Sequence, residues 1–171
     1  MAKLFTEKYS HKPKRLRTHD YGSECWYMVT MNTLNRKNYF GSIVTSDHGP
    51  TLLPTPMTLI ANECWEQIPL HYPFVQLDAF VIMPDHIHGM LKIVKDRKSD
   101  FSPNAFGTQK SNLPSVIAGF KSSVKRIANQ KGIDFQWQRR YHDRIIYTQE
   151  TLNNCRNYIQ NNLFRYVEKR P

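Results

Sequence analysis

Apolar and polar residues alternate along two stretches of the chain in the way that β-strands require. Residues 25–32 combine aromatic and β-branched side chains, which is typical of a strand with at least one buried face. Between residues 74 and 94, apolar side chains recur at every second position and resume after Pro84-Asp85. We therefore predict two adjacent strands in this stretch, and the second of them carries the run His86-Ile87-His88.

Apolar side chains spaced three and four residues apart predict three helices. The first occupies residues 56–68 and is expected to end at Pro69. The second begins with a proline at position 114, which suits a first helical turn, and stops at Gly132. The third runs from Thr148, a suitable N-cap residue, to beyond Asn162.

The remaining stretches are polar. Residues 1–22 are predicted to form a basic N-terminal arm, and residues 95–112, which lack sustained periodicity, a flexible loop. Residues 137–143 are interpreted as a loop between the second and third helices. Because 171 residues are the size of one domain, we predict a single domain over 1–171.

Positive charge is the main signal in the composition. The chain has 24 Lys and Arg against 14 Asp and Glu, a formal net charge of +10, which favours a polyanionic partner such as nucleic acid. A basic protein with another role would show the same charge, so composition alone does not decide. The three cysteines are too far apart for a zinc knuckle and odd in number, and no apolar segment is long enough for a membrane span. We expect a cytoplasmic protein with no membrane partner.

The pair His86 and His88 is the first candidate for chemistry. Residues two apart in a strand point to the same face, so these imidazoles lie side by side while Ile87 turns the other way. The pair suits two ligands of one metal ion, although two satisfied structural histidines are an equally good interpretation. Zinc hydrolases need further ligands, and nearby the chain offers only Asp85, expected on the other face of the strand. Magnesium or manganese is therefore the better fit.

The third predicted helix supplies the second candidate. Its apolar stripe, from Leu152 to Leu163, leaves Tyr158 on one flank, and Asn162 lies four residues further along that flank. A phenol and an amide oxygen would then project together from the helix. A tyrosine at the edge of a half-buried helix explains the same pattern, and taken alone it is the simpler explanation.

Several motifs in a fixed order resemble the REP-associated tyrosine transposases, a group within the single-tyrosine HUH transposases, where U is a hydrophobic residue. The resemblance runs through most of the chain, and the order and spacing of the motifs are more specific than any one of them. The matching stretches are Arg15-Leu16-Arg17 with Asp20-Tyr21, Val81 to Gly89, Gly119-Phe120-Lys121-Ser122, Trp137 to Ile146, and Arg156 to Asn162.

The resemblance implies an α+β fold: an antiparallel, ferredoxin-like or RRM-like sheet with helices packed on it. The two histidines would lie on a central strand and the tyrosine on a C-terminal helix. It also implies that Tyr158 is the catalytic nucleophile and that Asn162 completes a Mg²⁺ or Mn²⁺ site with His86 and His88. One departure is Leu163, where many relatives have proline, and this is expected to change how the helix ends.

The predicted activity is cleavage and joining of single-stranded or hairpin DNA through a 5′-phosphotyrosine. Cytoplasmic location would then become nucleoid association whenever DNA is bound, and both a monomer and a homodimer fit the resemblance. Basic residues in the arm and near the core are the candidates for DNA binding, although each would also serve as an ordinary surface charge. They are Lys12, Lys14, Arg15, Arg17, Lys121, Lys125, Arg139 and Arg140.

Two alternatives stay open at this point. The first is a domesticated protein that binds DNA hairpins but no longer cuts them, against which the intact His86, His88, Tyr158 and Asn162 argue. The second is a zinc-dependent hydrolase of small substrates, which would leave the positive charge unexplained and would not need the tyrosine.

Overall fold

The computed structural model describes residue 16 and residues 18–94 and 111–168. Within these residues, four strands form one antiparallel sheet. They are β1 Cys25–Asn32, β4 Val75–Met83, β5 His86–Ile93 and β6 His142–Ile146. Their order across the sheet is β4-β5-β1-β6. The predicted α+β class with an antiparallel sheet is confirmed, and the strand with the two histidines is central, since β5 lies between β4 and β1.

Helices cover both faces of this sheet. Helices α1 (Pro56–Glu66) and α3 (Leu113–Gln130) contribute to the larger core, with Ile87 and Leu91 of β5. Helix α4 (Gln149–Gln160) packs on the opposite face, where Met90 of β5 joins the second, smaller core. Two short α-helices, α2 (Ile68–His71) and α5 (Asn162–Glu168), and one 3-10 turn at Leu34–Arg36 complete the described set. No helix in the described residues has the length and hydrophobicity to cross a membrane.

Local sequence explains where α3 begins and ends. The Asn112 side chain accepts a hydrogen bond from the Ser115 backbone at 3.0 Å, and the Ser115 hydroxyl accepts one from the Asn112 backbone at 3.1 Å. This reciprocal cap satisfies two backbone N–H groups that the first turn would leave unpaired. Beyond the last turn, Gly132 adopts φ +69°, a left-handed conformation that glycine tolerates best, as the predicted stop requires.

Two elements that the sequence pattern did not predict extend the architecture. Strands β2 (Gly41–Ser46) and β3 (Gly49–Pro54) form a separate hairpin, and β6 adds the edge strand beside β1. Residues 142–143, interpreted above as loop, therefore belong to a strand. Most side chains of β2 and β3 are exposed, and β6 is short, so neither region shows a clear apolar alternation.

Two predicted helix ends are wrong. Helix α1 already ends at Glu66, and Pro69 lies in the first turn of α2 instead of terminating α1. The third predicted helix is interrupted at Asn161, so α4 and α5 are separate helices. Leu163 occupies the second position of α5, where the proline of many relatives would also fit.

The predicted arm and loop fall largely outside the described residues. Of the arm, His19 packs edge-on to Tyr21 and Tyr27, and the Tyr21 ring is buried in the core. His19 and Tyr21, which fall within the predicted arm of residues 1–22, therefore pack on the core, and the arm as a whole stays a prediction. Of the loop, Ser111 and Asn112 are described, and Asn112 is the cap of α3.

Gly89 of β5 is expected to be intolerant of any side chain. A Cβ atom at this position would lie 2.4 Å from the Trp65 ring, which stacks on Phe80 at 4.7 Å between centroids. Gly89→Ala should therefore lower the free energy of unfolding by about 1–3 kcal/mol, the usual cost of overpacking. Urea denaturation measures this, with exposed Ser122→Ala on α3 as a control expected to change stability by less than about 0.5 kcal/mol. Equal stability of the two variants would contradict the close packing.

Candidate active site

The two histidines converge on the sheet face that α4 covers. Both side chains are buried, with relative exposures of 8% for His86 and 6% for His88. Their Nε2 atoms are 3.1 Å apart, and the ring planes are nearly perpendicular, at 83°. Ile87 between them is fully buried in the larger core. The alternation predicted from the sequence is confirmed.

The other nitrogen of each imidazole has a partner of its own. His88 Nδ1 lies 2.8 Å from the Thr30 hydroxyl, because Thr30 of β1 stands opposite His88 in the sheet. His86 Nδ1 lies 2.6 Å from the Asp85 carboxylate. Partners of this kind fix the tautomer and the ring orientation of histidines that ligate metals.

The placement of Asp85 differs from the prediction. Asp85 was expected to point to the other face of the strand, but β5 starts only at His86. The strand alternation therefore does not apply to Asp85, and its carboxylate turns back against the adjacent imidazole. On the far side, Arg36 Nε donates to Asp85 Oδ2 at 2.8 Å. The chain Arg36, Asp85, His86 is a supporting network that spacing alone did not indicate.

Burial sets the charge states in this network. Burial, with smaller effects from His86 and the Arg36 guanidinium, lowers the pKa of His88 to about 3. His88 is therefore neutral at physiological pH, the form that ligates metals. Burial alone would raise the pKa of Asp85, but the hydrogen bond and charge interaction with His86, together with Arg36, lower it. Asp85 thus remains an acceptor for the His86 N–H.

Tyr158 lies beside the histidine pair. Thr148 caps α4, as predicted, by accepting a hydrogen bond from the Thr151 backbone at 3.1 Å. Two turns later the half-buried Tyr158 ring meets the His88 ring edge-on, with 5.3 Å between centroids. On its other side, the Arg165 guanidinium lies 5.4 Å from the Tyr158 centroid. The structure therefore brings together the tyrosine and the histidines that the sequence analysis selected separately.

An ion pair fixes α4 on the sheet close to this tyrosine. The Arg156 guanidinium donates to Asp78 Oδ2 through Nε at 2.8 Å and through a terminal nitrogen at 2.6 Å. The pairing of β4 with β5 is irregular between Leu77 and Phe80, so a bulge includes Asp78. Because bulges redirect side chains, Asp78 can face α4 while Leu77 and Phe80 pack on the larger core.

The donor set suits a divalent cation in part. Two Nε2 atoms converge, and their outer nitrogens have the partners expected behind metal ligands. No group of three or more His, Cys, Asp and Glu side chains within the described ranges is arranged to hold a metal. Asn162 is buried at the start of α5. Among the described residues, its side-chain amide makes no hydrogen bond to the imidazole of His86 or His88. The residues present thus provide two ligands directly and leave the third to Asn162 or a substrate oxygen.

A cavity of about 650 Å³ opens beside Tyr158 and His88. It is polar along the side formed by β6, a strand absent from the sequence prediction. The polar lining residues that were not predicted as site residues are Thr30, His142, Asp143, Arg144, Asn154, Asn157 and Arg165. Thr30 would have been found if the register of β1 against β5 were known, because it pairs with His88. A single sequence does not show that register.

The predicted DNA-binding residues separate into three groups. Lys12, Lys14, Arg15 and Arg17 lie outside the described residues. Lys121 and Lys125 donate to backbone carbonyls of Gln138 and Phe135, and burial lowers the pKa of Lys121 to about 8. Arg139 and Arg140 are exposed. The two lysines therefore have a structural task, and DNA binding by any of the eight stays a prediction.

The chain matches the structure of a REP-associated tyrosine transposase bound to a REP hairpin, with a TM-score of 0.59, 15% identity, and coverage of 86% of this chain and 72% of that one. It therefore has the fold of the REP-associated tyrosine transposases, as the motifs predict. An uncharacterized protein of Haemophilus influenzae is 31% identical over 157 residues, 86% of this chain and 85% of that protein. The chain belongs to the same family as that protein. No protein-family model matches it.

Thr30→Val tests the support of His88. Valine has nearly the same shape but removes the hydroxyl that lies 2.8 Å from Nδ1. We expect the affinity for Mn²⁺ to fall about tenfold, the lower end of the effect of losing such a partner. Titration calorimetry with Mn²⁺ measures this, and Thr45→Val on the exposed face of β2 is the matched control. Unchanged Mn²⁺ affinity in Thr30→Val would show that the hydroxyl does not orient a ligand.

Lys121→Met separates a structural lysine from a DNA-binding one. Methionine keeps the apolar stem but loses the ammonium that donates to Gln138 O at 2.6 Å, so unfolding free energy should fall by about 1 kcal/mol. The salt dependence of single-stranded DNA binding should stay near that of the parent protein. Exposed Arg139→Ala should instead reduce the slope of log K against log salt by about one and leave stability unchanged. The reverse pattern would assign Lys121 to DNA.

Proposed function

We propose that this protein is a DNA transposase: a single-strand endonuclease and strand transferase that acts on hairpin-containing DNA through Tyr158. The observation that carries the proposal is the contact between the Tyr158 ring and His88, with 5.3 Å between centroids, beside an open cavity. A nucleophile next to paired metal-ligand candidates suits metal-assisted cleavage of a phosphodiester by a tyrosine.

The proposed cofactor is Mg²⁺ or Mn²⁺. His86 and His88 would hold it through Nε2, with the Asn162 amide oxygen as the third ligand, since amide oxygens suit hard cations. When bound, the ion supplies charge neutralisation at a non-bridging phosphate oxygen. Support for the histidines is geometric, whereas support for Asn162 comes from its motif and from its burial at the start of α5.

The chemistry assigned to Tyr158 is one in-line displacement. Its Oη forms a bond to the phosphorus, and the bond from phosphorus to the 3′ oxygen breaks. The phenol proton passes through solvent to the departing oxygen, which becomes a 3′-hydroxyl, and the 5′-phosphate stays on the tyrosine. The Arg165 guanidinium lies over the Tyr158 ring, 5.4 Å from its centroid, and this cation–π contact helps to hold the ring in place. A free 3′-hydroxyl can later attack the phosphotyrosine and rejoin DNA without ATP.

Single-stranded or hairpin DNA is the proposed partner. The related transposase was solved with a REP hairpin bound, and the net charge of +10 suits a polyanion. Exposed Arg144 and Arg165 line the cavity beside the nucleophile, where a phosphate backbone would pass. Cytoplasmic location, with association to the nucleoid on DNA binding, belongs to the same proposal.

The replacement of the family proline by Leu163 does not argue for an inactive protein. This change is expected to affect the helix end. In the structure, α4 ends before Asn161 and α5 begins at Asn162 without a proline. The break leaves Tyr158 within α4 and beside His88. The geometry around the nucleophile therefore favours a cutting enzyme over a protein that only binds hairpins.

Incubation with a 5′-extended DNA hairpin and Mn²⁺, followed by a denaturing gel, tests the proposal. A covalent protein–DNA adduct should form with the parent protein, be absent in Tyr158→Phe, and fall at least tenfold in His88→Ala. Tyr147→Phe is the matched control, because Tyr147 is 71% exposed and precedes α4. An adduct that persists in Tyr158→Phe contradicts the nucleophile. Binding without any adduct favours the domesticated hairpin-binding protein, and zinc retained through purification favours a hydrolase.

A further inference from the structure

A second cavity adjoins the site on the side away from Tyr158. Its volume is about 490 Å³, and the mechanism above makes no use of it. It is lined by Asn32, Leu34, Asn35, Arg36, Gln138 and His142. Because His142 lines this cavity as well as the one beside Tyr158, the two share a wall.

Strand register explains why the cavities adjoin. His88, Thr30 and His142 stand opposite one another across β5, β1 and β6, and therefore occupy one row on the same sheet face. Asn32 stands opposite His86, two residues further along β1. The step from Thr30 to Asn32 is about 7 Å. That is about the rise of two nucleotides in a stacked strand, at about 3.4 Å per nucleotide, and of fewer nucleotides in an extended strand.

Arg36 is the positive charge of the second cavity. Its Nε donates to Asp85 at 2.8 Å, and one terminal nitrogen, Nη1, donates to Asn32 at 2.6 Å. The other, Nη2, is 3.5 Å from His86 Nδ1, which already lies 2.6 Å from Asp85. The guanidinium is therefore oriented on two sides and keeps the Nη2 donors for another acceptor. With its side chain 50% exposed, Arg36 can meet that acceptor at the surface.

The backbone supports this orientation. Asn35 and Arg36 have φ values of 53° and 56°. This left-handed backbone conformation is uncommon for residues other than glycine and asparagine. The segment is held by the Leu34 N–H, which donates to Gln136 O, and by the Gln138 N–H, which donates to Asn32 O, both at 2.9 Å. The segment is thus fixed to residues 136–138, and Arg36 is presented in one direction.

We propose that Arg36 binds a backbone phosphate of the DNA strand within one or two nucleotides of the scissile phosphate. This inference rests on the proposed function, because it takes the scissile phosphate to lie between Tyr158 and His88. The strand would run from the cavity beside Tyr158, over His142, into the cavity of Arg36. The Nη2 N–H groups that Asp85 and Asn32 leave available suit the oxygens of a phosphodiester, which guanidinium groups bind through charge-assisted hydrogen bonds. Arg36 would then fix the register of the strand relative to the nucleophile.

The test is a scan of single phosphates in the hairpin DNA. A series of oligonucleotides, each with one neutral methylphosphonate in the single-stranded extension, is titrated onto Tyr158→Phe protein in EDTA. Cleavage and metal-mediated contacts are then absent. With Arg36 present, affinity should fall on the order of tenfold at one phosphate within two nucleotides of the cleavage position. Arg36→Ala should bind unmodified DNA about tenfold more weakly and show no further loss at that position.

Two further variants separate charge from structure. Arg126→Ala removes a positive charge from the exposed side of α3, on the other side of the sheet, and should keep the parent pattern of penalties. Arg36→Lys keeps the charge but loses the paired donors, so its penalty at that phosphate should be intermediate. This variant also keeps the test valid if Arg36→Ala fails to fold.

The outcomes distinguish this inference from the proposed function. A penalty at one phosphate that disappears in Arg36→Ala supports the phosphate site, even if Tyr158 forms no adduct and the proposed activity fails. An adduct on Tyr158 combined with a parent-like scan in Arg36→Ala, or with equal penalties at every phosphate, overturns the phosphate site alone.

Discussion

The antiparallel pairing of β1 with β5 is the constraint on which the site depends. Its register sets Thr30 opposite His88 and Asn32 opposite His86, so β1 supplies the hydrogen-bond partner of His88 and, in Asn32, an acceptor for Arg36. Side chains alternate between faces along a strand, so a slip of one residue would exchange His86 and His88 with Ile87 and Gly89. Such a slip would place two imidazoles in the larger core and an isoleucine beside Tyr158, and burial of apolar surface therefore selects the register that builds the site.

Packing on the core face and chemistry on the α4 face are coupled through the same strand. Trp65 of α1 covers Gly89 so closely that no side chain fits there, and it stacks on Phe80, which stands opposite Gly89 on β4. This contact holds the middle of β5 flat against α1 while His88 faces the other way. On the α4 face, the bulge in β4 turns Asp78 toward Arg156. The tyrosine helix is thus anchored to the strand next to the one that carries the histidines.

Sequence patterns predicted an element correctly where its buried side chains recur at a regular spacing. They predicted β1, β4, β5 and the cap of α4, because apolar side chains or a capping residue mark these elements directly. They missed the β2–β3 hairpin, whose side chains are mostly exposed, and β6, an edge strand defined by its pairing with β1. Within the site, the structure brings together His86, His88 and Tyr158, which were selected separately from the sequence. The position of Asp85 and the contacts of Arg36 were not predicted, because they depend on turns whose conformations are set by tertiary packing.

The chemistry of the histidine pair leads to one further step. The Asp85 carboxylate can only accept from His86 Nδ1, so that nitrogen carries a proton. When the Thr30 hydroxyl accepts from His88 Nδ1, the His88 Nε2 atom presents a lone pair 3.1 Å from His86 Nε2. A proton on His86 Nε2 would make this contact a hydrogen bond, whereas a cation ligated by both rings would take the place of that proton. The proposed function uses the second arrangement, in which the cation would neutralise charge on a phosphodiester beside Tyr158.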